Sequence, residues 1–129
     1  MPETESEERV TDDMKRILEK AIGHYGKTHQ VTKCIEEIGE FLQALSKYTF
    51  LAEKHKAWKM STSGPATVED RYFFHDIEQG ERHLQEEIAD SIITMQQMRL
   101  IYGPEEVDWW IEFKLNRLEE QIEKEKKSV

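Results

Sequence analysis

Apolar residues recur along most of this chain at the three-and-four spacing of amphipathic helices, and clusters of turn-forming residues cut that pattern into four pieces. Thr11 or Asp12 is placed to cap a first helix that carries Met14, Ile17, Leu18, Ala21 and Ile22 and ends between Gly23 and Gly26. A second begins around Thr28. Its stripe of Val31, Cys34, Ile35, Ile38, Phe41, Leu42 and Leu45 continues through Tyr48 and Leu51 toward Trp58, until Ser61-Thr62-Ser63-Gly64-Pro65 breaks it. The stretch from Val68 to Gly80, with Tyr72, Phe73, Phe74 and Ile77, reads as a short helix or as an ordered loop. A third helix is predicted from about Glu81 to Tyr102. Gly103-Pro104 stops it and starts a fourth, with Pro104 at the first helical position and Glu105 and Glu106 in the turn that the helix dipole makes hospitable to negative charge. That helix uses Val107, Trp110, Ile111, Leu115, Leu118 and Ile122 before a charged tail. Trp109 and Trp110 lie about 100° apart on it, which predicts one ring in the core and the other exposed or at a subunit contact. No strand pattern of useful length is present. The pattern predicts a single all-α domain over 11–126, a helical bundle of four main helices with an extended connection over 48–80, preceded by a frayed acidic N-terminus over 1–10.

Within that frame two acidic tetrads stand out, Glu36-Glu37-Ile38-Gly39-Glu40 and Glu86-Glu87-Ile88-Ala89-Asp90. Carboxylates three residues apart lie about 60° apart around a helix, so each tetrad puts a pair on one side, one turn apart. Two such helices side by side aim at least four carboxylates into one volume, which protons or cations must neutralise. Magnesium is the economical candidate. The competing reading is a solvated helix face, ordinary in a chain with 35% charged residues. Periodicity argues against it for the second tetrad: Leu84, Ile88, Ile92, Met95 and Met98 fill one face and Ile101 projects near Glu87 and Asp90, so the helix is apolar on nearly every side. Glu37 borders the stripe of the second helix, whereas Glu36 lies farther round and fits a surface position.

Composition narrows the function classes. A net charge of −9 argues against a nucleic-acid polymer or an anionic membrane as partner, since both need a basic footprint. A polyphosphate can still bind if metal ions bridge the two negative partners. The single Cys34 cannot form an intrachain disulfide, and its place on an apolar stripe fits a buried thiol in a reducing cytoplasm. No stretch is apolar enough to span a bilayer, so a cytoplasmic protein is expected. The Glu-x-x-His spacing of di-iron bundles, a glycine-rich phosphate loop, zinc-ligand spacing and a nucleophile elbow are all missing.

The string Tyr25-Gly26-Lys27-Thr28-His29-Gln30, followed by Lys33-Cys34-Ile35-Glu36-Glu37-Ile38-Gly39-Glu40-Phe41, resembles the opening of the MazG-like all-α nucleoside triphosphate pyrophosphohydrolases. Leu84-Gln85-Glu86-Glu87-Ile88-Ala89-Asp90 is similar to the second half of that family's E-x-x-E and E-x-x-D metal site, and Phe113-Lys114-Leu115-Asn116-Arg117-Leu118 to the basic stretch of its last helix. The resemblance covers roughly 24–47 and 81–122. One departure is the link between Glu40 and Glu87, longer than in compact members. It predicts an extension of both helices, an inserted helix pair or a lid, and leaves substrate identity open.

The resemblance implies Mg²⁺, with Mn²⁺ as a substitute, held by Glu37, Glu40, Glu87 and Asp90, and hydrolysis of a (d)NTP between the α and β phosphates to a nucleoside monophosphate and pyrophosphate, as in nucleotide-pool house-cleaning. Glu36 and Glu37 are the implied catalytic carboxylates, Glu36 orienting or deprotonating the attacking water or else serving as a second-layer or surface acid. Lys33, Lys114 and Arg117 would meet the phosphates, with a surface ion pair as the plainer alternative for each, and Asn116 would bond sugar or phosphate or be exposed. Gln30 fits the resemblance without an assigned role. Compact relatives build their bundles from more than one chain, which implies a homodimer or a dimer of dimers with the site beside the interface. Two alternatives stay open: a phosphoribosyl-ATP or deoxyuridine-nucleotide (dUTP/dUDP) pyrophosphohydrolase, and a catalytically silent helical interaction module.

Overall fold

Four helices and no strand make up the described residues: α1 (Pro2–Tyr25), α2 (Lys27–Ser61), α3 (Val68–Tyr102) and α4 (Pro104–Lys127). The structure, a computed structural model, describes residues 2–62 and 64–128, with side chains from Asp12 onward. The all-α architecture and four main helices follow the sequence pattern. Helix α1 begins at Pro2, ahead of the Thr11 or Asp12 start, because no glycine or proline interrupts 3–22 and proline is tolerated at a first helical position. Met1 and the side chains of the expected frayed segment lie outside the described residues.

Local turn chemistry sets the other boundaries. Gly26 adopts φ 89° between α1 and α2, a left-handed conformation open to glycine, and its N–H donates to the Ile22 carbonyl at 2.8 Å. Gly103, at φ 121°, separates α3 from α4, with Pro104 directly after it. The long link resolves into extensions of both central helices. Val68–Gly80 is the N-terminal part of α3, started by a capping box in which the Thr67 side chain accepts from the Asp70 N–H and the Asp70 carboxylate accepts from the Thr67 N–H at 2.6 Å.

Helices α2 and α3 form an antiparallel hairpin, each 35 residues and so about 52 Å long. Facing pairs step in opposite directions along it: Lys59 with Asp70, Gly80 with Tyr48, and Gln30 with Gln97. Helix α1 lies against both, and among the described residues α4 packs mainly on α3. At the far end of the hairpin the His55 and Trp58 rings each pack on Phe73, with centroids 5.2 Å apart. Lys59 Nζ reaches Asp70 Oδ1 at 2.7 Å beside them.

The core is thin and the seam is polar. Among the described residues Leu18, Cys34, Ala44 and Leu84 are the buried hydrophobic ones, while Gln30, Glu37, Asp70, Glu87, Ser91, Thr94 and Gln97 are buried polar ones. The face of α3 expected inside, with Ile88, Ile92 and Met95, is exposed instead, and so are Ile35, Leu42 and Leu45 of α2. Helix α4 has no buried residue, and both Trp109 and Trp110 are about half exposed, so neither ring enters a core within the chain. No helix among the described residues is long and apolar enough to cross a membrane.

Candidate metal centre

Near the middle of the hairpin the tetrads face one another. One carboxylate oxygen from each of Glu37, Glu87 and Asp90 lies within 4.8 Å of the other two. The spacing is a consequence of register: Glu37 is on the α3-facing side of α2, and Glu87 and Asp90 are a turn apart on α3. Glu37 and Glu87 are more than nine-tenths buried, at 8% and 7% exposed, and Asp90 is open to solvent. Glu87 is buried as expected, though in a polar seam with Ser91, Thr94 and Gln97 and not within an apolar surround, whereas Asp90 sits at the edge of that seam.

Both buried glutamates keep an oxygen, Glu37 Oε2 and Glu87 Oε2, that is inaccessible to solvent and has no hydrogen-bond partner. Carboxylate oxygens are strong acceptors, and leaving them orphaned in a seam is unfavourable unless a proton or cation arrives. The protein supplies only partial compensation. Lys33 Nζ lies 2.9 Å from Glu37 Oε1 and 4.0 Å from Glu36 Oε2, and that contact with Glu37 holds the lysine above its ordinary pKa. His83 Nε2 is 3.9 Å from Glu87 Oε1, an attraction that exists only when the imidazole is protonated. Burial pushes the Glu87 carboxyl above its ordinary pKa, and the charge of Glu40 adds to the rise, with smaller contributions from Asp90 and Glu37. A hard divalent cation among three carboxylates would reverse that preference, and an all-oxygen donor set suits magnesium or manganese. The residues present therefore fit such an ion.

The other expected residues divide into two groups. Glu40 is exposed and stands outside the three-carboxylate cluster, close enough for its charge to act on Glu87. Glu36 and Lys33, both exposed, line a cavity of about 520 Å³ together with Glu37 and Asp90. Lys114, Asn116 and Arg117 are not brought to the carboxylates within one chain. Helix α4 leaves the bundle after its first turns, where the Arg99 guanidinium donates to both oxygens of Asp108, and among the described residues its helix contacts are with α3. Asn116 shares a patch along α4 with Glu119, Glu120, Glu123, Lys124 and Lys127, and the Arg117 guanidinium lies 6.0 Å from the Phe113 ring centroid.

Further residues that line the cavity, and to which the sequence alone assigns no role, include Tyr25, His29, Gln30, Thr94 and Gln97. The available signal was the polar stripe Ser91, Thr94, Gln97, spaced three apart inside an otherwise apolar helix and continuing the line of Glu87. No protein-family model, curated protein or solved structure matches this chain.

Proposed function

We propose that this protein is a Mg²⁺-dependent, MazG-like nucleotide pyrophosphohydrolase that cleaves a (d)NTP between its α and β phosphates to release pyrophosphate and a nucleoside monophosphate. The observation that carries the reading is the pair of buried carboxylates with orphaned oxygens, Glu37 and Glu87, converging with Asp90 beside a cavity of about 520 Å³, large enough for a small-molecule ligand. The sequence resemblance of both tetrads to that family supports it independently.

In this reading Glu37, Glu87 and Asp90 hold the ion, with Glu40 at longer range. Bound magnesium supplies Lewis-acid polarisation of the phosphoryl oxygens, charge neutralisation and a more acidic water. Lys33, exposed at the mouth and already drawn toward Glu37, is free to swing its ammonium onto a phosphate once a cation replaces it at the carboxylate. Glu36 lines the same cavity from the solvent side, where its carboxylate can orient a water and take its proton. The site needs no nucleophilic side chain, because water attacks phosphorus directly.

Assembly belongs to the same proposal. A chain that exposes Ile88, Ile92 and Met95 on α3 and a whole apolar stripe on α4 has more uncovered apolar surface than a small monomer carries, and a second copy of the chain is its partner. A two-fold pairing covers both faces at once and offers a route by which Lys114 and Arg117 of one copy approach the carboxylates of the other.

The test is pyrophosphate release from a panel of common, oxidised, deaminated and methylated (d)NTPs, with Mg²⁺ and with chelator, for the wild type and Asp90→Ala. Metal-dependent release that the substitution abolishes is the expected result. A folded wild-type protein that releases pyrophosphate from none of them overturns the reading in favour of a silent interaction module.

A further inference from the structure

The cavity continues past the carboxylates toward α1, and its far wall is built from Tyr25, His29, Gln30, Thr94 and Gln97. Gln30 and Gln97 are 5% and 6% exposed, as deep as the apolar core of this chain, and are bonded to one another across α2 and α3: Gln30 Nε2 donates to Gln97 Oε1. The Gln30 oxygen in turn pairs with His29 Nδ1 at 2.8 Å. With the imidazole donating from Nδ1, the three side chains form a relay with one polarity. Every carbonyl in it is engaged, and its end is the Gln97 amide nitrogen, for which the described residues provide no acceptor. Thr94, the neighbouring buried hydroxyl, is committed elsewhere, donating to the Ser91 carbonyl at 3.1 Å. At the mouth, the Tyr25 and His29 rings stack with centroids 4.9 Å apart and planes 18° from parallel, and Tyr25 is 57% exposed.

We propose that this wall is the nucleobase subsite, and that the Gln97 amide selects bases presenting a carbonyl to it (hypoxanthine, guanine, uracil, thymine) over bases presenting an amino group there (adenine, cytosine). The proposal rests on the reading that the carboxylates hold the triphosphate. An N–H donor fixed by burial is satisfied by a carbonyl oxygen, whereas an exocyclic amino group sets donor against donor and leaves both unpaired. Sites built to hydrogen-bond a substrate group discriminate on that basis more strongly than apolar pockets do. Tyr25 and His29 offer a flat surface to the face of any base, which contributes affinity without choice.

Two substrate pairs isolate the effect, because dITP differs from dATP, and dUTP from dCTP, chiefly in a carbonyl for an amino group. Binding by calorimetry and hydrolysis are both measured for the four, with inorganic tripolyphosphate as a base-free competitor, on the wild type, Gln97→Leu and Tyr25→Ala. The wild type is expected to favour the carbonyl member of a pair by about tenfold, mainly through affinity and KM, as one hydrogen bond gained predicts. Gln97→Leu brings the ratio toward one, and Tyr25→Ala weakens every nucleotide alike while leaving the ratio and tripolyphosphate affinity unchanged. Equal binding of both members by the wild type, a preference for the amino members, or a ratio that survives Gln97→Leu in a folded protein overturns the inference, and the wild-type ratio decides even if that variant does not fold. Nucleotide binding with the expected ratio but no hydrolysis refutes the reaction while keeping the subsite. Absence of nucleotide binding refutes both.

Discussion

Stability of this fold should depend on protein concentration, because one chain buries so little of its own apolar surface. On the stripe of α4, Trp110, Ile111, Leu115, Leu118 and Ile122 are between 43% and 58% exposed. Burying such a side chain completely is worth about 1.5–3 kcal/mol, so covering the exposed half yields about 1 kcal/mol each, roughly 5 kcal/mol per chain and roughly 10 kcal/mol for a two-fold pair. That falls inside the 4–15 kcal/mol range that association costs in lost freedom, and the exposed Ile88, Ile92 and Met95 of α3 add to the favourable side. Replacing Leu115 and Leu118 with glutamate removes about 1 kcal/mol at each of four positions in the pair, roughly 4 kcal/mol, before any penalty for burying charge. A dissociation constant should rise about a thousandfold. Glutamate is a good helix former, so α4 itself should persist. Sedimentation velocity and thermal melts across a hundredfold dilution series are the assays: the wild type should sediment as a dimer or larger with a midpoint that falls on dilution, and the double variant as a smaller, less stable species. A wild type that sediments as a monomer with a dilution-independent midpoint refutes the argument.

The candidate metal centre makes further demands. In chelator at neutral pH, Glu87→Gln should melt at a higher temperature than the wild type, since the substitution removes a buried carboxylate whose ionisation is resisted by burial and by the charge of Glu40, and the variant should gain less from added Mg²⁺. By Mn²⁺ titration, Asp90→Ala should lose more affinity than Glu40→Ala, because Asp90 has an oxygen within the three-carboxylate cluster and Glu40 does not; equal losses would contradict the geometry. At the far end of the hairpin, the Lys59 ammonium and the Thr67 N–H hold Asp70 below its ordinary pKa, so its contribution is complete above the unfolded value near 3.8 and disappears as pH falls through the lower folded value. Urea unfolding between pH 2 and 6 should accordingly show the wild-type advantage over Asp70→Asn shrinking below about pH 4. An advantage unchanged across that range would show that the ion pair does not act through charge.

Much of the architecture is legible in sequence because its boundaries are local. Gly26, Gly64-Pro65 and Gly103-Pro104 separate helices through backbone preferences that need no tertiary context. The stretch Val68–Gly80 is less legible, since the box that starts α3 pairs Thr67 with Asp70 in place of the commoner glutamate or glutamine. Choosing the buried face of α3 failed for a deeper reason. A period of 3.6 tells which residues share a side, and it correctly groups Ile88, Ile92 and Met95, but it does not tell which partner that side meets. Inside the chain α3 turns Glu87, Ser91, Thr94 and Gln97 to its neighbours and leaves the aliphatic face open. Three of the four expected carboxylates, Glu37, Glu87 and Asp90, come together through the register of one hairpin while Glu40 stands outside their cluster, and no such register ties Lys114, Asn116 and Arg117 of α4 to them.

That inversion of polar and apolar faces leaves the α2/α3 seam lined mostly by polar side chains. A seam holding orphaned carboxylate oxygens and an amide relay destabilises the middle of the α2/α3 pair, so the pair must be secured beyond it. The extension does so with chemistry suited to permanence. His55, Trp58 and Phe73 pack ring on ring, Lys59 closes on a nearly inaccessible Asp70, and the same carboxylate caps α3 through the Thr67 N–H. Opening the far end of the hairpin would part these contacts, stranding Asp70 without its cation and α3 without its cap. Both helices also run unbroken from the carboxylates into the extension, with no glycine at positive φ inside either to act as a hinge. The contacts at the far end of the hairpin thus fix the register of α2 against α3, the register by which Glu37 meets Glu87 and Asp90.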